Sequence, residues 1–165
     1  TTRLVGSEMC IRDSCTKIGG TMDISAGQLI DRTGQLLGLP FPSGKHLDEL
    51  SAQAKNRDVF SVKCDACSFS LSGVQNKVQQ YYEKNADPSE TAAYALRCVA
   101  KAVYRASEQA LQRFPSLEIV FSGGVASNSL LRSVMQPLSP VFAQPMYSTD
   151  NAMGVAILAH RLREG

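Results

Sequence analysis

A five-residue run of β-formers, residues 117–121 (LEIVF), stops abruptly at Ser122-Gly123-Gly124, and helical spacing resumes over residues 126–135 (ASNSLLRSVM). Branched and aromatic residues in so short a run predict a strand, and two consecutive glycines predict a sharp turn. The apolar positions that follow at three-to-four-residue intervals predict a helix. A strand that feeds a helix through a glycine turn places the chain in the α/β class and leaves backbone exposed where a bound group can approach.

The rest of the chain alternates in the same way. Apolar residues recur at helical spacing over residues 22–37, ending at Gly38, and a proline-rich turn (LPFPSG, residues 39–44) separates that helix from a short one over 46–54. Residues 59–62 and 67–71 are expected to form two short strands, and residues 72–84 a helix. Asp87-Pro88-Ser89-Glu90 is a strong helix start, with Asp87 as cap and Glu90 placed to reach back as in a capping box. The long helix it opens runs to Pro115 and is expected to pack on a sheet. Val141 and Phe142 suit a further strand, and Thr149-Asp150-Asn151 opens a last helix. Residues 1–14 show no periodicity, and their SEMCIRDS core looks like translated adapter sequence; they are expected to be a leader outside the domain, which then occupies residues 15–165.

Composition narrows the function classes. The 165 residues are 44% hydrophobic and 19% charged, within the globular range. A net charge of +2 provides no broad basic field, so any nucleic-acid contact must be local. No apolar run is long enough for a transmembrane helix and no signal-like segment opens the sequence; the expectation is a cytoplasmic protein without a membrane partner. Five cysteines, an odd number, point to reduced thiols. Cys64 and Cys67 form a lone C-x-x-C, read as packed or strand-borne thiols because a zinc site needs two more ligands. There is no G-x-S-x-G elbow, Cys/His pair or H-E-x-x-H motif to support proteolysis.

Three constellations could carry chemistry. In FSGGVASN, Gly123 and Gly124 let backbone approach a ligand, and Asn128, expected in the first turn of the next helix, can offer a donor and an acceptor to a ribose or base. The alternative is a tight connection with Asn128 in solvent. In YSTDNAMGVA, Asp150 sits among hydroxyl and amide groups, either as part of a helix cap or as a metal ligand with orienting partners. Asp23 and Asp31 are two helical turns apart, and Asp48 follows the proline-rich turn; three carboxylates could border one cleft, or be ordinary surface acids.

The ordered set DISAGQLIDRTGQLLGLPFPSG, FSLSGVQNK, FSGGVASN and STDNAMGVA resembles the universal tRNA threonylcarbamoyladenosine synthase family, long labelled a glycoprotease, over residues 17–165. GQLIDR, SGVQNK and DNAMGVA are most similar to a bacterial paralogous branch. The resemblance implies an actin-like, RNase H-like ATPase fold of two lobes with a nucleotide and a metal between them, this chain being the C-terminal lobe. It also implies that Asp31, Gly44, Asp48 and Asn128, beside Gly123 and Gly124, hold an adenylate. Asp150 matches the aspartate that binds a divalent iron or zinc together with the two histidines of an H-x-x-x-H motif. His46 and His160, the only histidines here, form no such pair. Implied substrates are threonylcarbamoyl-AMP and tRNA; implied partners are a paralogous actin-like subunit and a small ATPase. Gln28, Arg32 and Ser43 depart from the main branch, which usually has glutamate, lysine and glycine there. A non-catalytic nucleotide-binding partner subunit and a phosphotransferase of the same superfold are the competing readings.

Overall fold

Ser25 accepts a hydrogen bond from the Gln28 backbone at 3.1 Å, and Gln28 Oε1 accepts one from the Ser25 N–H at 2.8 Å. This reciprocal capping box starts helix α1 at Ala26 and carries it to Leu36, so the helix begins four residues later than its apolar spacing predicts. The computed structural model describes residues 16–144. Residues 1–14, expected to be a leader, and the last predicted helix, with Asp150, lie outside the described residues. Gly20–Thr21 forms strand β1 instead of leading into the helix. Helix α2 follows at Gly44–Ser51 and α3 at Ser72–Asn85, the latter close to its expected span.

Asp87 caps α4 (Pro88–Arg113) by accepting from the Ser89 and Glu90 N–H groups at 2.9 and 3.1 Å. Glu90 does not complete a capping box. Its carboxylate accepts from the Lys55 and Asn56 N–H groups at 2.7 and 3.1 Å and so ties the segment after α2 to the start of α4. Nor does α4 lie on a broad sheet: α1, α2, α3 and α5 (Ser129–Met135) all pack against it. Its alanines at 92, 93, 95, 100 and 102 are buried and let neighbouring helices approach from several sides. Around it Leu29, Leu71, Val74, Val78, Val99, Leu131 and Met135 form the main core.

The sheets are small. Strands β2 (Cys64–Asp65) and β3 (Ser68–Phe69) form a hairpin, and β3 also pairs in parallel with β1. The expected strand at 59–62 does not form; that segment runs along α4, where Phe60 N–H donates to Cys98 Sγ and Arg105 donates to the Val62 carbonyl. Ala66 and Cys67 at the hairpin tip both have positive φ, 46° and 61°, as a two-residue primed turn requires. Gln109 holds this turn, accepting from Cys67 N–H at 2.8 Å and donating to the Cys64 carbonyl at 3.1 Å. Cys64, Cys67 and Cys98 are free thiols, as expected, and burial pushes that of Cys98 up to about 11. Strand β4 is shorter than the expected run, Val120–Phe121, and pairs in parallel with β5 (Val141–Phe142).

Candidate nucleotide site

Past β4 the chain turns at Gly123, whose φ of +97° is accessible to glycine at little cost. A single 3₁₀ turn over Gly124–Ser127 follows. Asn128 then adopts an extended conformation (φ −63°, ψ 131°) and caps α5, its Oδ1 accepting from the Leu131 N–H at 2.9 Å. It therefore lies just before the helix, not in its first turn. The break is invisible to periodicity because a 3₁₀ turn and an α-helix accept the same residues in sequence.

Across from this junction stand α1 and α2. Asp31, on α1, accepts from the Ser43 N–H at 3.0 Å, which fixes the proline-rich turn and the start of α2. Gly34 is required one turn on, because an added Cβ would stand 2.1 Å from Ser43 Oγ. Asp48, on α2, accepts from both the backbone N–H and the hydroxyl of Ser129 at 2.8 Å each, joining α2 to the first residue of α5.

Between these elements lies a cavity of about 520 Å³, lined by Asp31, Gly44, Asp48, Gly124 and Asn128. Five of the six binding residues expected within the described chain are thus brought together; Gly123 shapes the adjoining turn without lining the cavity. Gly27, Ile30, Pro42 and Val125 give it apolar walls, and Lys45 and Ser127 add polar ones. No sequence signal singled these out, since each is ordinary for its helix or turn. Asn128 is 8% exposed, and its Nδ2 has no hydrogen-bond partner. A buried amide donor without a partner is uncommon in folded proteins.

Asp23 does not join the cavity. It precedes α1 and accepts from the Leu71 and Ser72 N–H groups at 2.8 and 3.2 Å and from the Ser70 hydroxyl, capping the entry to α3. Burial acts to raise its pKa, but the hydrogen bonds from Ser70, Ser72 and Leu71 outweigh it and hold the carboxyl well below the usual range. Among the described residues no group of three His, Cys, Asp or Glu side chains is placed to hold a metal, and no helix is long and apolar enough to cross a membrane.

The fold is mixed α/β, and its cavity lies where the glycine turn and the start of α5 meet α1 and α2. The family described as TsaD, tRNA N6-adenosine threonylcarbamoyltransferase, matches residues 8–157, and the chain belongs to it. The tRNA N6-adenosine threonylcarbamoyltransferase of Carboxydothermus hydrogenoformans is 33% identical over 160 residues, 90% of this chain and 48% of that protein. The Oenococcus oeni protein of the same name is 31% identical over 87% of this chain and 46% of its own length. The chain spans about half the length of these curated relatives. The crystal structure of T. kodakarensis HypF superposes with a TM-score of 0.61 over 72% of this chain and 17% of that one. At 20% identity this likeness concerns the fold alone.

Proposed function

We propose that this chain is the nucleotide-holding C-terminal lobe of an actin-like transferase that moves a threonylcarbamoyl group from threonylcarbamoyl-AMP to N6 of adenosine 37 in tRNA. The observation that carries the reading is one cavity lined together by Asp31, Gly44, Asp48, Gly124 and Asn128, residues from three separate segments of the sequence. Family membership and the names of the relatives support the activity class.

In this reading the adenylate lies in the cavity with its base against the apolar walls. Asp31 gives one carboxylate oxygen to Ser43 and keeps the other for a ribose hydroxyl. Asp48, bonded through both oxygens to Ser129, retains lone pairs for a second hydroxyl while holding α2 and α5 in register. Glycine at 44 and 124 leaves backbone open to the ligand, with nothing within 4 Å of an added Cβ at either position. Held so, the mixed anhydride presents its carbamoyl carbon to the tRNA. The N6 nitrogen attacks that carbon, the bond to the phosphoryl oxygen breaks, AMP leaves, and N6 gives up a proton. The chain's part is to position the nucleotide rather than to supply a nucleophile. By the resemblance, Asp150 would be this chain's ligand to an iron or zinc ion, which when bound would supply a Lewis acid for the carbamoyl oxygen.

The test is turnover of threonylcarbamoyl-AMP with an ANN-decoding tRNA by the whole protein, read as AMP release and as modified nucleoside by mass spectrometry. Asn128→Asp, which keeps the helix cap and loses the donor, should lower kcat/KM about tenfold or more. Asp150→Ala should abolish turnover and lower metal content. Turnover indifferent to Asp31→Ala and Asn128→Asp together would overturn the reading.

A further inference from the structure

Phe41 is the most exposed large apolar side chain among the described residues, at 81%. It sits in the turn between α1 and α2, and its neighbours Pro42, Gly44 and Lys45 all line the cavity. The turn is held at three points. Leu39 N–H donates to the Gly34 carbonyl at 2.8 Å, the Ser43 hydroxyl donates to the Pro40 carbonyl at 3.0 Å, and the Ser43 N–H donates to Asp31. An aromatic ring kept in water on a fixed support beside a site can take a partner at little cost in ordering the backbone.

Its surroundings limit that partner. Within the segments that build the cavity, residues 26–51 and 122–135, the one other exposed large apolar side chain is Leu36, at 37%. Two such side chains fall short of an apolar protein-docking face, which takes roughly several hundred Å². Lys45 places a cation four residues on; its side chain is 84% exposed, and its ammonium lies 3.8 Å from Glu49 in a solvated pair that holds it weakly. An aromatic face with a cation close by suits an unstacked base and a neighbouring phosphate of single-stranded nucleic acid. A net charge of +2 supplies no broad field to hold such a strand, so local contacts of this kind have to hold it.

We infer that Phe41 is a stacking platform for an unpaired base of the acceptor RNA, with Lys45 neutralising an adjoining phosphate. This rests on the reading of tRNA as substrate and adds to it the residues that position the strand beside the nucleotide. Both side chains stand largely in water, so replacing either should leave the melting temperature unchanged.

The experiment measures binding of a fluorescein-labelled RNA hairpin with an unpaired, adenosine-containing loop to the whole protein, by anisotropy over a salt series. AMP binding is followed in parallel by ligand-detected NMR. Phe41→Leu, which keeps an apolar side chain and loses the π face, should weaken RNA binding about tenfold, as expected for one base–aromatic stack, and leave AMP affinity unchanged. Phe41→Trp should bind RNA at least as tightly as the parent. Lys45→Gln should reduce the slope of log affinity against log salt by about 0.7. RNA affinity unchanged in Phe41→Leu, or lost equally in Phe41→Trp, overturns the platform and leaves the proposed activity standing; an unchanged salt slope in Lys45→Gln overturns the phosphate contact. A parent that binds AMP but no RNA overturns the tRNA reading itself, and this inference with it.

Discussion

Both carboxylate oxygens of Asp48 are engaged by Ser129, one by its backbone N–H and one by its hydroxyl, across 81 residues of sequence. The contact closes one side of the cavity by holding the start of α5 against α2. Asp48→Ala should therefore lower stability by about 1–2 kcal/mol and Ser129→Ala by roughly half as much, since the backbone donor survives in the latter. Urea denaturation with an unchanged m value measures this; an unshifted midpoint in Asp48→Ala would show that the contact carries no weight.

Asn128 separates two roles within one amide. Asn128→Ala removes both the cap and the free donor and should cost about 1 kcal/mol along with nucleotide binding. Asn128→Asp keeps an acceptor for the Leu131 N–H, so stability should stay near the parent while adenosine binding is lost. Binding retained by the Asp variant would remove Nδ2 from the site.

Gly34 and Ser43 form a size-complementary pair. Gly34→Ala would put a methyl 2.1 Å from Ser43 Oγ and 2.2 Å from its Cβ, and should destabilise by about 1–3 kcal/mol. Ser43→Gly removes both obstructing atoms, so the double variant should recover much of the loss. A double-mutant cycle with no coupling would contradict the packing.

Asp23 makes stability depend on acid. Its folded pKa lies below the ordinary 3.8, so the unfolded state takes up a proton first as pH falls. The contribution is whole above about pH 4 and drains away as pH drops through the folded value. Asp23→Asn should be less stable than the parent at neutral pH, and the gap should close below pH 4. A constant gap between pH 7 and pH 2 would assign the effect to shape rather than charge.

Local chemistry was legible in the sequence; distant partners were not. Asp87-Pro88 announces α4 because the signals for a helix start lie within one turn of each other. Glu90 has the spacing of a capping box, yet its partners at Lys55 and Asn56 lie 35 and 34 residues away, and tertiary contact wins over local reach. The Ala66-Cys67 turn has no glycine or asparagine to signal it, because Gln109, 42 residues from Cys67, supplies the support. The residues at 59–62 look like a strand, but their backbone groups turn to Cys98 and Arg105. At the site, Asp31, Gly44, Gly124 and Asn128 were reachable through the motifs. Ser127 was not, because a serine inside a helical-looking run gives no sign that its hydroxyl is buried without a partner.

The anchoring of Asn128 by one end of its amide has an entropic side. With Oδ1 fixed to the Leu131 N–H, the rotamer of Asn128 is set by the fold itself. A ligand that packs against Asn128 therefore has no side chain to immobilise there, and none of its affinity is spent on ordering that residue.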